Sequence, residues 1–205
     1  MAVTVTHVYD DYKCAQSVIS DLEAAGFDHG DISMVSRHHG EAGAATEDDD
    51  NGAATGAALG GVVGASAGLL ASLGVIAIPG IGPLVAAGVL ATTLTGAAGG
   101  AVAGGLLGAL VDYGVSEDDA QVYAESVRRG GTLVSVRAPD GRADEAERIM
   151  RAHSPIDMEE RRRSYRETGW TSYDPEAPAY TAPEIDRERA RYRSAGSERR
   201  DSLYR

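Results

Sequence analysis

Residues 3–9 (VTVTHVY) are rich in β-branched and aromatic types and predict a strand. Asp10 follows as a helix cap. Ala15, Val18, Leu22 and Ala25 then recur at helical spacing, predicting a helix that Gly26 ends. Asp31–Arg37 (DISMVSR) predicts a second strand. Far along the chain, Ser116-Glu-Asp-Asp119 resembles a capping box that opens a helix with Ala120, Tyr123 and Val127 inward. Gly130-Gly131 stops it, and 132–137 (TLVSVR) predicts a third strand. Asp140 is the expected cap of a helix carrying Ala146, Ile149 and Met150, and Pro155–Met158 predicts a short last strand. The expected class is α+β. It is a ferredoxin-like split βαβ sandwich with both crossover helices on one face of a four-stranded antiparallel sheet.

The interruption between the two halves has its own period. Gly52, Gly56, Gly60, Gly64 and Gly68 recur every four residues, and Ser72 extends the row. Beyond Pro79-Gly80-Ile-Gly82-Pro83 the row resumes at Gly88, Thr92, Gly96, Gly100, Gly104 and Gly108. The quartet Thr55-Gly-Ala-Ala58 recurs as Thr95-Gly-Ala-Ala98, an internal repeat. On a helix, positions four apart stack on one face, so such a row is a groove that admits another helix at backbone contact. Each glycine costs a helix about 1 kcal/mol, which close packing must offset. The expectation is an antiparallel helical hairpin turning at Pro79–Pro83, with arms of roughly 39–42 Å at 1.5 Å per residue. That exceeds a hydrocarbon core of about 30 Å, so membrane insertion and soluble self-assembly both satisfy the pattern.

Charge divides the chain into four parts. Residues 1–50 carry two basic and eleven acidic groups, 51–111 none, 112–160 six and twelve, and 161–205 eleven arginines against eight acids. The expected domains follow these boundaries: the first half of the α/β unit with an acidic linker, the hairpin, the second half, and a mostly disordered Arg/Tyr-rich tail with a short helix at 184–193. The net charge of −12 argues against a nucleic-acid partner. One cysteine, Cys14, excludes an intrachain disulfide and fits a reducing compartment. Met1–Tyr9 alternates instead of forming an apolar signal core, so the chain is expected to be cytoplasmic or inner-membrane-associated and not secreted.

Candidate chemistry is sparse, and the expectation is no enzyme, no cofactor, no metal and no identified small-molecule substrate. His38-His39 and the run Glu47–Asp50 lack metal-ligand spacing. Cys14 lies one residue off the inward face of the first helix, which suits a structural thiol. The only lysine, Lys13, sits in that same helix, so no glycine loop carries the lysine a phosphate loop needs. In the tail, Trp170, Tyr173 and Tyr180 stand in a Pro-containing stretch and form a candidate docking motif. Thr181-Ala-Pro-Glu184 is a capping-box signature, opening a helix with Ile185, Arg189 and Tyr192 on one side.

The opening VTVTHVYDDYKCAQSVISDLEAAGFDHGDISMVSR resembles the first βαβ of the bacterial general stress protein 17M-like family, the heat-induced stress protein domains. The likeness continues in AIPGIGPLVAAG, in VSEDDAQVYAESVRRGGTLVSVRA and in AERIMRAHSPIDMEER, covering residues 3–160. It implies a stress-response setting and carries no catalytic residues. The functional expectation is a non-enzymatic stress-response protein that self-associates, or anchors to a membrane, through its glycine-zipper hairpin. The alternative is a soluble regulatory or ligand-binding ferredoxin-like module, which rests on fold analogy.

Overall fold

The computed structural model describes residues 2–37, 74–78, 82–88, 90, 105–178 and 180–203. Strand β1 (Val3–Tyr9) leads into helix α1 (Tyr12–Ala24). Asp11, not Asp10, caps α1 by accepting the Lys13 N–H. Asp10 instead accepts both carboxylate bonds from Arg161, at 3.1 Å each. A 3₁₀ turn at His29–Asp31 precedes β2 (Ile32–Arg37). Beyond it come β3 (Gly74–Ile78), β4 (Gly82–Ala87) and α2 (Gly105–Asp112). Then follow α3 (Glu117–Arg128), β5 (Thr132–Ala138), α4 (Ala143–Ala152), α5 (Met158–Glu167) and α6 (Ala182–Leu203).

The class is α+β. Five strands form one antiparallel sheet in the order β1-β5-β2-β4-β3. Its centre pairs Thr6 with Ser135 and Ser135 with Ser33, so a row of hydroxyls crosses three strands. Thr6 and Ser135 bond each other at 2.8 Å. One face packs Tyr9, Ile32, Met34, Val134 and Val136 under α1 and α4. The other packs Val8, Val35, Ala86 and Leu133 under α2 and α3. Alternation along each strand sends neighbouring residues to opposite layers, which is why Val8 and Tyr9 are both buried. The helix face of α1 is as the spacing predicts, with Ala15, Val18 and Leu22 buried.

Four further expectations need correction. First, the residues on either side of the expected helical turn are strands: β3 and β4 pair antiparallel as a β-hairpin, with Gly82 and Pro83 inside β4. The four-residue row is broken here, because Ile76 and Leu84 stand where it would need small residues, and GVIAI favours strand. Second, the segment assigned to a fourth strand, Pro155–Met158, gives one backbone bond, Ile156 N–H to Val8 O at 2.8 Å. Asp157 caps α5 by accepting from Glu159 and Glu160, and that ends the extended run. Third, Asp140 does not cap α4; Arg142 occupies the cap position after a turn at Gly141, whose φ is +83°. Fourth, the tail is not mostly disordered: α5 and α6 dock on the domain, burying Tyr165, Tyr173 and Ile185.

Candidate functional site

The densest cluster of buried charge lies where α3 ends. Ser116 starts that helix as its sequence predicts, accepting the Asp119 N–H at 3.2 Å and donating to the Asp119 carboxylate at 2.7 Å. Gly130, at φ +96°, stops it three turns later. The last turn presents Glu125, Arg128 and Arg129, all buried. Glu125 accepts from Arg128 Nε and Nη2, at 2.8 and 2.6 Å, and from Arg129 Nε at 2.6 Å. Arg129 continues to Glu188 of α6 at 3.0 Å.

Arginine also reads backbone carbonyls here. Arg128 donates to Pro178 O at 2.8 Å, and Arg37, at the end of β2, donates to Arg128 O at 3.0 Å and Tyr180 O at 2.5 Å. Arg189 reaches back from α6 to Gly130 O at 3.0 Å. Two of these contacts place positive charge on the C-terminal carbonyls of α3, where the helix dipole favours it. Aromatic rings complete the cluster. Arg129 lies 4.0 Å over the Tyr165 ring, and Arg128 lies 4.7 Å over Tyr180. Trp170 meets Tyr165 edge-on with centroids 5.8 Å apart.

The electrostatics follow from burial and pairing. Burial is the largest single influence and lowers the Arg128 and Arg129 pKa values, but the hydrogen bonds they donate to Glu125 and the attraction of its charge together outweigh it and hold both raised. Arg37 has no such carboxylate bond among the described residues; burial, then the nearby Arg128, lower its pKa. Desolvation lifts Tyr165 and pushes Tyr173 up to about 12. Guanidinium donors meeting carboxylates, carbonyls and ring faces make an arrangement that binds and orients chain segments. The Ser126 and Tyr165 hydroxyls are engaged, since Ser126 bonds Val122 O at 2.8 Å and Tyr165 at 3.1 Å, whereas the buried Tyr173 hydroxyl has no hydrogen-bond partner among the described residues.

Of the candidate docking residues, Tyr173 is buried in the core cluster that includes α3, Tyr180 lies beneath Arg128, and Trp170 packs edge-on against Tyr165 of α5. The helix-packing glycines fare differently. Gly52, Gly56, Gly60, Gly64, Gly68, Gly96, Gly100 and Gly104 lie outside the described residues, as do Pro79 and Gly80. Gly88 is not in a helix. It sits at φ +79° in the bend after β4, where a Cβ would stand 2.0 Å from Ile32 O. Gly108 is helical in α2, but a Cβ there meets nothing within 4 Å, so it makes no close helix contact among the described residues.

Cys14 is half-buried and donates to His153 O at 3.3 Å; burial, then Asp11, raise its pKa, as suits an unreactive thiol. His38, His39 and Glu47–Asp50 lie outside the described residues. No group of three or more potential ligands is placed to hold a metal ion among the described residues. On the opposite face of the sheet, Glu147 accepts from His7 at 2.8 Å and also from Arg151, and these bonds lower its pKa against the opposing effect of burial.

Sequence reading missed Arg37, Glu125, Arg128, Arg129 and Glu188. The available signal was the Glu125–Arg129 spacing of four, which ordinarily marks a solvated pair. Burial came from the tail, whose docking no local pattern encodes. No helix among the described residues is long and apolar enough to cross a membrane. No family model, curated protein or solved structure matches the chain.

Proposed function

We propose that the chain is a non-enzymatic protein that self-associates through the uncharged glycine-rich segment its sheet holds at the middle, with membrane anchoring as the second mode of the same surface. The observation that carries this reading is the placement of β3 and β4. Both come from the charge-free stretch 51–111, and their register sets Gly74 opposite Ala86. The chain therefore enters β3 and leaves β4 at adjacent points. The flanking glycine rows, 52–72 and 92–104, lie outside the described residues; in this proposal they are the two arms, joined through the β-hairpin in place of the tight helical turn.

The ferredoxin-like reading belongs with this proposal. The order β1-β5-β2, with α1 and α4 on one face, is consistent with three of its four strands, and Ile156 bonds β1 at the edge where the fourth would lie. The stress-response setting rests on the resemblance to the general stress protein family.

The test is the mass of the full chain by size exclusion with light scattering, beside a carbonate wash of the membrane fraction. Self-association predicts an oligomer that Gly64→Leu or Gly104→Leu reduces to monomer while circular dichroism of the domain is unchanged. An oligomer of unaltered size in both variants overturns the glycine-row assignment. Retention in the washed pellet assigns the segment to the bilayer instead.

A further inference from the structure

The C-terminal segment meets its own domain as a peptide ligand meets a receptor. The groups residues 178–192 contribute include two carbonyls, one carboxylate, one aliphatic side chain, the Arg189 guanidinium on Gly130 O and the Tyr192 ring beneath Arg161. Pro178 O accepts from Arg128, Tyr180 O from Arg37, and Glu188 from Arg129. Ile185 lies over Gly130, where a Cβ would stand 2.4 Å from its Cγ2. The spacing between the extended part and Glu188 is fixed by a helix start, since Thr181 N and Oγ1 both donate to Glu184 at 2.7 Å. The link to this segment is short. Tyr173 is buried in the core, Asp174–Glu176 form an exposed turn closed on the Asp174 carboxylate, and the docking contacts begin at Pro178.

The contacts that hold this segment are all non-covalent, and each would be the same if the segment came from another copy. Exchange of an identical element is a low-cost route to dimers for that reason, and a short hinge between two packed elements favours it. We propose that the surface formed by Arg37, Arg128, Arg129 and Gly130 is a docking site for residues 178–192 of a second copy as well as for its own, so that tail exchange joins copies. The attached tail has the higher effective concentration, so the trans contact forms when the cis contact is weakened.

A fluorescent peptide of residues 174–192 serves as the probe for a second copy's tail. It lacks residues 51–111, so its behaviour is independent of the glycine-row reading. It is titrated against the full chain and against the full chain carrying I185S and E188Q, which weaken the attached tail. The peptide is expected to bind the double variant at least about tenfold more tightly than the unaltered chain, and a peptide bearing the same two substitutions to bind the double variant at least about tenfold less tightly than the unsubstituted peptide. Equal binding of the two peptides, or no binding of the unsubstituted peptide to the double variant, overturns the proposal. Loss of sheet amide protection in the double variant also overturns it, because the segment would then be part of the core and not a ligand.

Discussion

Gly88 shows how much one residue can decide. Its positive φ and its approach to β2 let the chain leave β4 and cross the start of β2, where Leu90 N–H bonds Ser33 Oγ at 3.2 Å. Gly88→Ala meets both a strained conformation and backbone that cannot give way, so it is expected to cost about 3 kcal/mol or more in urea unfolding. A titratable residue offers a second test at this scale. The folded-state pKa of Glu147 is depressed, so its contribution is complete above the ordinary carboxylate value of about 4.3 and is lost as pH falls through the lower folded value. Glu147→Gln should therefore flatten the acid limb of Tm against pH, and leave unchanged any acid sensitivity that arises elsewhere.

Among the elements, α3 joins several parts of the molecule. Its capping box starts it, its apolar face of Ala120, Ala124 and Val127 covers the sheet, and its last turn binds the tail. Tyr123 is half-buried on the same helix and donates to Thr6 O at 3.1 Å, with burial pushing its pKa up to about 12. Ser116→Ala removes the cap and is expected to cost about 1 kcal/mol of stability, read as a shifted denaturant midpoint at unchanged slope. The β3–β4 hairpin is the contrasting case. A segment whose composition suits helix packing supplies two strands, because its central residues interrupt the small-residue row and favour an extended chain.

For the whole molecule, the governing feature is that both faces of the sheet are covered. One layer is α1 and α4; the other is α2 and α3, and the tail closes over the end of α3. The buried Glu125–Arg128–Arg129–Glu188 group costs desolvation that a solvated pair would avoid, and it fixes which part of α6 meets which part of α3. Ile185→Asp places a charge against Gly130 and should free α6. Amide protection over 182–192 is then expected to fall and tryptic cleavage at Arg187 to appear, while the strands keep their protection. Unchanged protection of 182–192 would show that Ile185 is not the anchor.

The chain's local order was legible from residue types alone. The β-rich run at 3–9, the α1 stripe, the Ser116 cap, the Gly130-Gly131 stop and the Thr181 cap each act within a few residues, so the physics that sets them is written in neighbouring positions. Trp170, Tyr173 and Tyr180 stood out from their setting as candidate docking residues. Contacts between distant segments were not legible: that the docking partner is the chain's own α3, that Arg37 turns to Tyr180 O, and that Glu125 is buried under a tail more than forty residues on. Tertiary structure decided these, because burial of a charged pair depends on what covers it. It also decided β3 and β4, where pairing of β4 with β2 and of β3 with β4 supplied the backbone hydrogen bonds that an isolated reading of the glycine row assigned to a helix.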